Sequence, residues 1–160
     1  MWRRNERAGR IEPIGKAGGA EPMHQAMARL EVPTPGRSMV EISADIDAWL
    51  DEIGAGNGLL TVFVRHTSAS LTIQENADPD VQADLLDALD RLAPQSAGYR
   101  HSTEGADDMP AHIKGALTDV SLGIPVVGGR TECGTWQGIY LVEHRARPHR
   151  RTVTLHYLGT

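Results

Sequence analysis

Between Leu59 and Asp80 the chain changes character three times, and any fold must accommodate all three segments. Leu59 to Val64 is apolar and rich in β-branched residues, the pattern of a buried strand. From Ala69 to Ile73, apolar Ala69, Leu71 and Ile73 alternate with Ser70, Thr72 and Gln74. That period of two describes a second strand with one wet face. Asp78 followed by Pro79 has the form of a helix N-cap and first helical position. Polar groups crowd both ends of the second strand: His66, Thr67 and Ser68 before it, then Glu75, Asn76, Asp78 and Asp80. Turn and capping chemistry accounts for some of these. A histidine, an amide and several acids around an apolar strand point beyond it to a site.

At 160 residues the chain suits one domain with an ordinary core. Hydrophobic content of 40% and charged content of 23% are those of a soluble globular protein. No apolar run approaches a membrane span, so no membrane association is expected. The net charge of −5 argues against a general nucleic-acid binder. A single cysteine, Cys133, excludes an intrachain disulfide and suggests a reducing, cytoplasmic compartment. Residues 1–25 are rich in Arg and Gly, without sustained periodicity or the apolar segment of a secretory signal. They read as a disordered or dispensable extension, with Met23 and Met27 as alternative starts, and 26–160 as a single domain.

Further along, Ala28–Val32 is a candidate first strand stopped by Pro33, and Ser38–Ile42 a second extended stretch. Ser43 is placed to cap a helix whose apolar stripe is Ile46, Trp49, Leu50 and Ile53. Val81, Leu85, Ala88, Leu89 and Leu92 form the expected buried face of a helix closed by Pro94, with Asp84, Asp87 and Asp90 solvated. Residues 94–110 form a long loop, the kind that is often functional, carrying His101. A short helix over Pro110–Leu117, capped by Asp107 or Asp108, places His112 in its first turn. Ile124–Val127 is a short strand before the tight turn of Gly128-Gly129. Gly138–His144 and Thr152–Leu158 alternate and suit a hairpin. Its connection bears Arg145, Arg147, Arg150 and Arg151, suited equally to phosphate contacts or to an exposed solubilising turn. This element pattern predicts an α+β fold: antiparallel sheets packed as a β-sandwich, with about three helices on one side.

His66-Thr-Ser-Ala-Ser-Leu-Thr-Ile-Gln-Glu-Asn-Ala-Asp-Pro-Asp-Val81 resembles the signature of the YjbQ family, the secondary thiamine-phosphate synthase-like proteins. Tyr99-Arg-His101, Ala111-His-Ile-Lys114, and Gly128-Gly-Arg130 through Gly134-Thr-Trp-Gln-Gly138 are similar to its later motifs, in order. The resemblance runs from about Met27 to Leu158. It departs at Thr131-Glu-Cys133, where the family is more apolar, and at the Arg145–Arg150 turn. It implies a YjbQ-like fold, a homotrimer, and the joining of hydroxymethylpyrimidine pyrophosphate to thiazole phosphate with release of pyrophosphate. His66, Glu75, Asn76 and Asp78 are the candidate catalytic residues. Thr67, Ser68, Lys114, Arg130 and Trp136 are candidates for substrate and phosphate binding. His66, His101 and His112 match no local metal motif, but three imidazoles that converge would leave an open position on a divalent ion, Zn²⁺ or Mg²⁺. No Walker or dinucleotide loop is present, so no nucleotide cofactor is expected. The alternative is a non-enzymatic trimeric binder of a phosphorylated metabolite, using the same Arg and hydroxyl groups. His144 and His156 are read as strand residues without a role, and Cys133 as a small core-side residue.

Overall fold

The computed structural model describes residues 22–160. Eight strands and three helices occur among these residues, and every strand pairing is antiparallel. In chain order they are β1 (His24–Thr34), β2 (Ser38–Glu41), α1 (Ser43–Glu52), β3 (Gly58–Val64), β4 (Ala69–Glu75), α2 (Pro79–Leu92), α3 (Asp108–Leu117), β5 (Ser121–Val127), β6 (Arg130–Thr131), β7 (Gln137–Glu143) and β8 (His149–Gly159). A five-stranded sheet has the order β1-β8-β3-β5-β6, and a three-stranded sheet the order β2-β7-β4. The α+β class and the sheet-on-sheet architecture are those expected.

Alternation along the strands builds the core between the sheets. Leu60, Val62 and Val64 of β3, Val153, Leu155 and Tyr157 of β8, and Ile139 and Leu141 of β7 are buried in one cluster. Ile46 and Leu50 of α1 close that cluster, and Trp49, Ile53 and Cys133 pack partly buried against it. β7 is buried on both faces from Gly138 to Glu143. Tyr140, on the face opposite Ile139, meets Gln82 of α2 through its hydroxyl at 3.2 Å. Gly128 and Gly129 both have positive φ, 58° and 81°, which is what a two-residue β5–β6 hairpin turn requires.

Several local expectations are corrected. β1 runs through Pro33 to Thr34, because β1 is an edge strand and the missing N–H costs no ladder bond. It also begins at His24, so His24 and Gln25 pair with Gly159 and Leu158 and belong to the domain rather than to a dispensable extension. The rest of that extension, residues 1–21, lies outside the described residues. Ser43 does not cap α1: Ile42 holds that position, while Ser43 Oγ donates to Glu41 and accepts the Ile139 N–H. The apolar face of α2 is only half-buried and Leu92 is exposed, because α2 rests on β2 and α3 at the rim of the small sheet. Asp87 and Asp90 are not simply solvated, since both pair with Arg37, at 2.5 and 2.8 Å. β7 and β8 do not form a hairpin. They lie in different sheets, and residues 144–148 cross between them.

No helix among the described residues is long and apolar enough to cross a membrane.

Candidate functional site

Two crossings between the sheets build the site. The first is Arg65–Ser68, which carries the chain from β3 in the large sheet to β4 in the small one. Val64 N donates to Val120 O and Arg65 N to Thr152 O, at 2.9 and 3.2 Å, so the crossing starts from fixed backbone. His66 Nε2 accepts the Thr152 N–H at 2.9 Å. That bond assigns the ring proton to Nδ1 in the neutral form. Burial, then the nearby Arg151 charge, hold the His66 pKa below its ordinary value.

The second crossing, after β7, is anchored by a buried carboxylate. Glu143 is fully enclosed and receives Arg151 in a two-pronged pair, Nε to Oε2 at 2.7 Å and Nη2 to Oε1 at 2.6 Å. Thr34 Oγ1 and the Arg145 N–H also donate to it. Burial pushes this carboxyl up, but hydrogen bonds from Arg151, the Arg145 N–H and Thr34 overcome that and hold it below the usual range. Arg151 Nη2 reaches on to Ser68 Oγ at 3.1 Å, which ties the anchor to the first crossing. Next to it, buried His144 meets Ser70 Oγ at 2.8 Å, and its pKa falls to about 4, first through burial and then through the Lys114 charge.

Arg145 turns outward and organises the long loop. Its guanidinium binds both carboxylates of Asp107 and Asp108 and the Glu104 carbonyl. Asp108 is buried and divides its oxygens: Oδ1 takes Arg145, while Oδ2 lies 2.7 Å from His101 Nε2 and 3.3 Å from His112 Nε2. The two imidazoles meet edge to face with centroids 5.6 Å apart. Their ligand nitrogens and the Asp108 oxygen all lie within 4.8 Å of one another. Two imidazoles and a carboxylate suit a borderline divalent ion such as Zn²⁺, and Arg145 behind the carboxylate would orient it.

His112 also lines an open cavity of about 830 Å³, together with Arg65, His66, Thr67, Ser68 and the apolar Phe63, Val64 and Val120. Gly115 brings α3 against this wall, since a Cβ there would stand 3.0 Å from the Thr67 carbonyl.

The expected site residues therefore divide. His66, Thr67, Ser68 and His112 share the cavity, with His101 joined to it through His112. His66 does not join the ligand-atom cluster, and its Nε2 accepts the Thr152 N–H; Asp108 holds that place instead. Asp108 was legible only as a possible cap. α3 begins two residues earlier than expected, which puts Asp108 and His112 at i and i+4 on one face and moves His112 out of the first turn. Lys114 faces away from the cavity, buried against Asp90 of α2, so it is not placed for phosphate there. Arg130 pairs with Asp51 of α1 at 2.9 Å, beyond the cavity lining. Glu75, Asn76, Asp78 and Trp136 gather at the far end of β4, separated from the His66 end by the strand's length of about 20 Å at some 3.3 Å per residue. There Asn76 N donates to Trp136 O at 3.2 Å, Asp78 caps α2 through the Asp80 N–H at 2.9 Å, and Glu75 and Trp136 line a second open cavity of about 490 Å³. In the basic turn, Arg151 and Arg145 are neither free phosphate ligands nor solubilising groups, being committed to Glu143 and to Asp107 and Asp108.

Fold and site together define a two-sheet α+β domain with a histidine-lined cleft at a corner between the sheets and a buried carboxylate, Asp108, set against one of those histidines. The chain belongs to the family described as "UPF0047 protein YjbQ-like", whose profile matches residues 28–160. It is 52% identical to the UPF0047 protein sll1880 of Synechocystis over 141 residues, covering 88% of this chain and 96% of the relative. With the UPF0047 protein YugU of Bacillus subtilis it shares 36% identity over 131 residues, 81% of this chain and 97% of that one. Among solved structures, hypothetical protein APE1520 from Aeropyrum pernix K1 superposes with a TM-score of 0.78 at 33% identity, covering 84% of this chain and 99% of that one. Conserved hypothetical protein TT1486 from Thermus thermophilus gives 0.72 at 40% identity, over 80% and 97%.

Proposed function

We propose that the cleft binds a small phosphorylated substrate beside a divalent ion held by His101, Asp108 and His112, and that the protein is a cytoplasmic transferase working as a homotrimer. The observation that carries this reading is the position of His112, which belongs at once to the ligand cluster and to the cavity wall. When bound, such an ion supplies charge neutralisation for a phosphoryl or pyrophosphoryl group. Arg65 and the Thr67 and Ser68 hydroxyls offer donors for phosphate oxygens, and Phe63, Val64 and Val120 an apolar wall for a flat ring. His66, neutral with its proton on Nδ1, is suited to donate to the substrate rather than to ligate.

The reaction implied by the family resemblance fits that chemistry. The thiazole nitrogen attacks the methylene carbon of hydroxymethylpyrimidine pyrophosphate, the carbon–oxygen bond breaks, and pyrophosphate leaves with the electron pair. The protein need supply no nucleophile, only stabilisation of the leaving charge. The test is thiamine phosphate formation from the two substrates by protein loaded with Zn²⁺ or Mg²⁺. Asp108→Asn and His112→Ala should each lower turnover by about tenfold or more, with a parallel fall in metal bound per chain. Absence of product above the protein-free blank would overturn the transferase reading. Tight binding of thiazole phosphate without product would favour the metabolite binder.

A further inference from the structure

We infer that the cleft is completed by a second copy of the chain, whose Glu75 and Trp136 close the open side of the cavity. The inference rests on reading that cavity as the site. Three observations carry it. The cavity is lined in part by apolar side chains left in solvent, Phe63 at 44% and Val120 at 40% exposure, and Leu117, the residue after Ala116 of its wall, is 59% exposed. Leu59 and Leu158, cross-strand partners on the outer face of the large sheet, extend the apolar patch away from it. Apolar surface of this extent around a cleft marks an interaction face. The residues lining the cavity include Arg65 and two histidines and no carboxylate.

At the far end of β4 the chain presents the complement. Trp136 is 67% exposed beside Glu75, with exposed Asp78 and Asp80 next to it at the start of α2. A large aromatic residue left in water next to carboxylates is an anchor without a pocket, and the cleft, with the Arg65 guanidinium on its wall, is a pocket without an anchor. The two surfaces lie at opposite ends of one strand, so they cannot meet within a chain. A two-fold dimer that opposed each patch to its own copy would set the carboxylates of Glu75, Asp78 and Asp80 against one another. A head-to-tail contact instead places Trp136 and Glu75 of one copy on the cleft of the next, and such contacts close into rings. Glu75 of the neighbour would then supply the carboxylate that the cleft lining lacks.

Cross-linking tests this without reference to metal or turnover, so its failure is distinct from failure of the proposed chemistry. Ala116, exposed on the cavity wall, and Trp136 are replaced separately in a Cys133→Ser background, giving Ala116→Cys and Trp136→Cys chains. If Cys133→Ser does not fold, the same pair is made with Cys133 retained and the unsubstituted chain as control. Co-expressed chains should form a mixed disulfide dimer under mild oxidation, each chain alone should not, and the doubly substituted chain should give a covalent ladder ending in a closed ring. Cross-linking of either single variant with itself but not of the mixture would overturn the proposal. So would a monomer by light scattering at micromolar concentration.

Discussion

Replacing Arg151 with Met removes one partner of a buried ion pair while nearly preserving its volume. In the native fold Glu143 is fully enclosed and meets Arg151 at 2.6 and 2.7 Å. Without the guanidinium, the carboxylate keeps the hydrogen bonds of Thr34 Oγ1 at 2.8 Å and the Arg145 N–H at 2.9 Å, with His149 Nδ1 farther off at 3.9 Å. An uncompensated buried charge of this kind costs about 3–5 kcal/mol. With a urea slope of about 2 kcal/mol/M, the unfolding midpoint should fall by roughly 2 M at pH 7, measured at fixed protein concentration because assembly adds to stability. The pH dependence gives the cause. Native Glu143 is held below the usual carboxyl range, so its stabilisation is present above the unfolded pKa and lost as pH falls through the folded one. In Arg151→Met, burial acts with its main offset removed and the carboxyl protonates at higher pH. The gap between native and variant should therefore be widest at pH 7 and narrow towards pH 4. Glu143→Gln combined with Arg151→Met removes the charge and should recover most of the loss. A loss below about 1 kcal/mol at pH 7, or a gap independent of pH, would refute the account.

Two further outcomes follow from buried groups and from the first strand. His144 is held at a pKa of about 4, so the unfolded chain binds the extra proton between that value and 6.5. Its contribution should be complete above pH 6.5 and fall as pH drops to 4, by about 3 kcal/mol in all, and His144→Gln should flatten that part of a stability–pH curve. A chain beginning at Met27 loses the pairings of His24, Gln25 and Ala26 with β8, and the edge contact of His24 on Tyr157. Its thermal midpoint should lie several degrees below that of a chain beginning at Pro22, and equal midpoints would show that the start of β1 contributes nothing.

The fold was legible wherever one element's own pattern sufficed. The Asp78-Pro79 start of α2 and the Gly128-Gly129 turn are local signals, and each appears as read; Ala69–Ile73 is a strand as read, but its polar face is not wet, since Ser70 is buried against His144 and Thr72 and Gln74 are half-buried. The expected pairing of β7 with β8 fails although both alternate and are adjacent in sequence. What separates them is β7's burial on both faces, which a six-residue stretch of mixed side chains does not announce. Pro33 looks like a stop in the sequence, but a proline breaks a ladder only where the N–H has a partner, and edge position is a property of the whole sheet.

The site was legible as residue types and not as groupings, for a related reason. The signature from His66 to Asp80 reads as one cluster because it is continuous, yet it contains an extended strand, and an extended strand carries its two ends apart. Asp108 was hidden by a boundary error of two residues: with the helix begun at Pro110, Asp108 is only a cap, whereas inside the helix it stands one turn before His112 and shares its face. Arg145 and Arg151 read as a basic turn because their partners, Asp107, Asp108 and Glu143, come from other segments of the chain. Only the folded arrangement distinguishes a charge that structures a cleft from one that waits for a ligand. By that criterion Arg65, exposed on the cavity wall, is placed to meet an anion, and Glu75 and Trp136, for all the nearness of Glu75 to His66 in sequence, belong to a different surface.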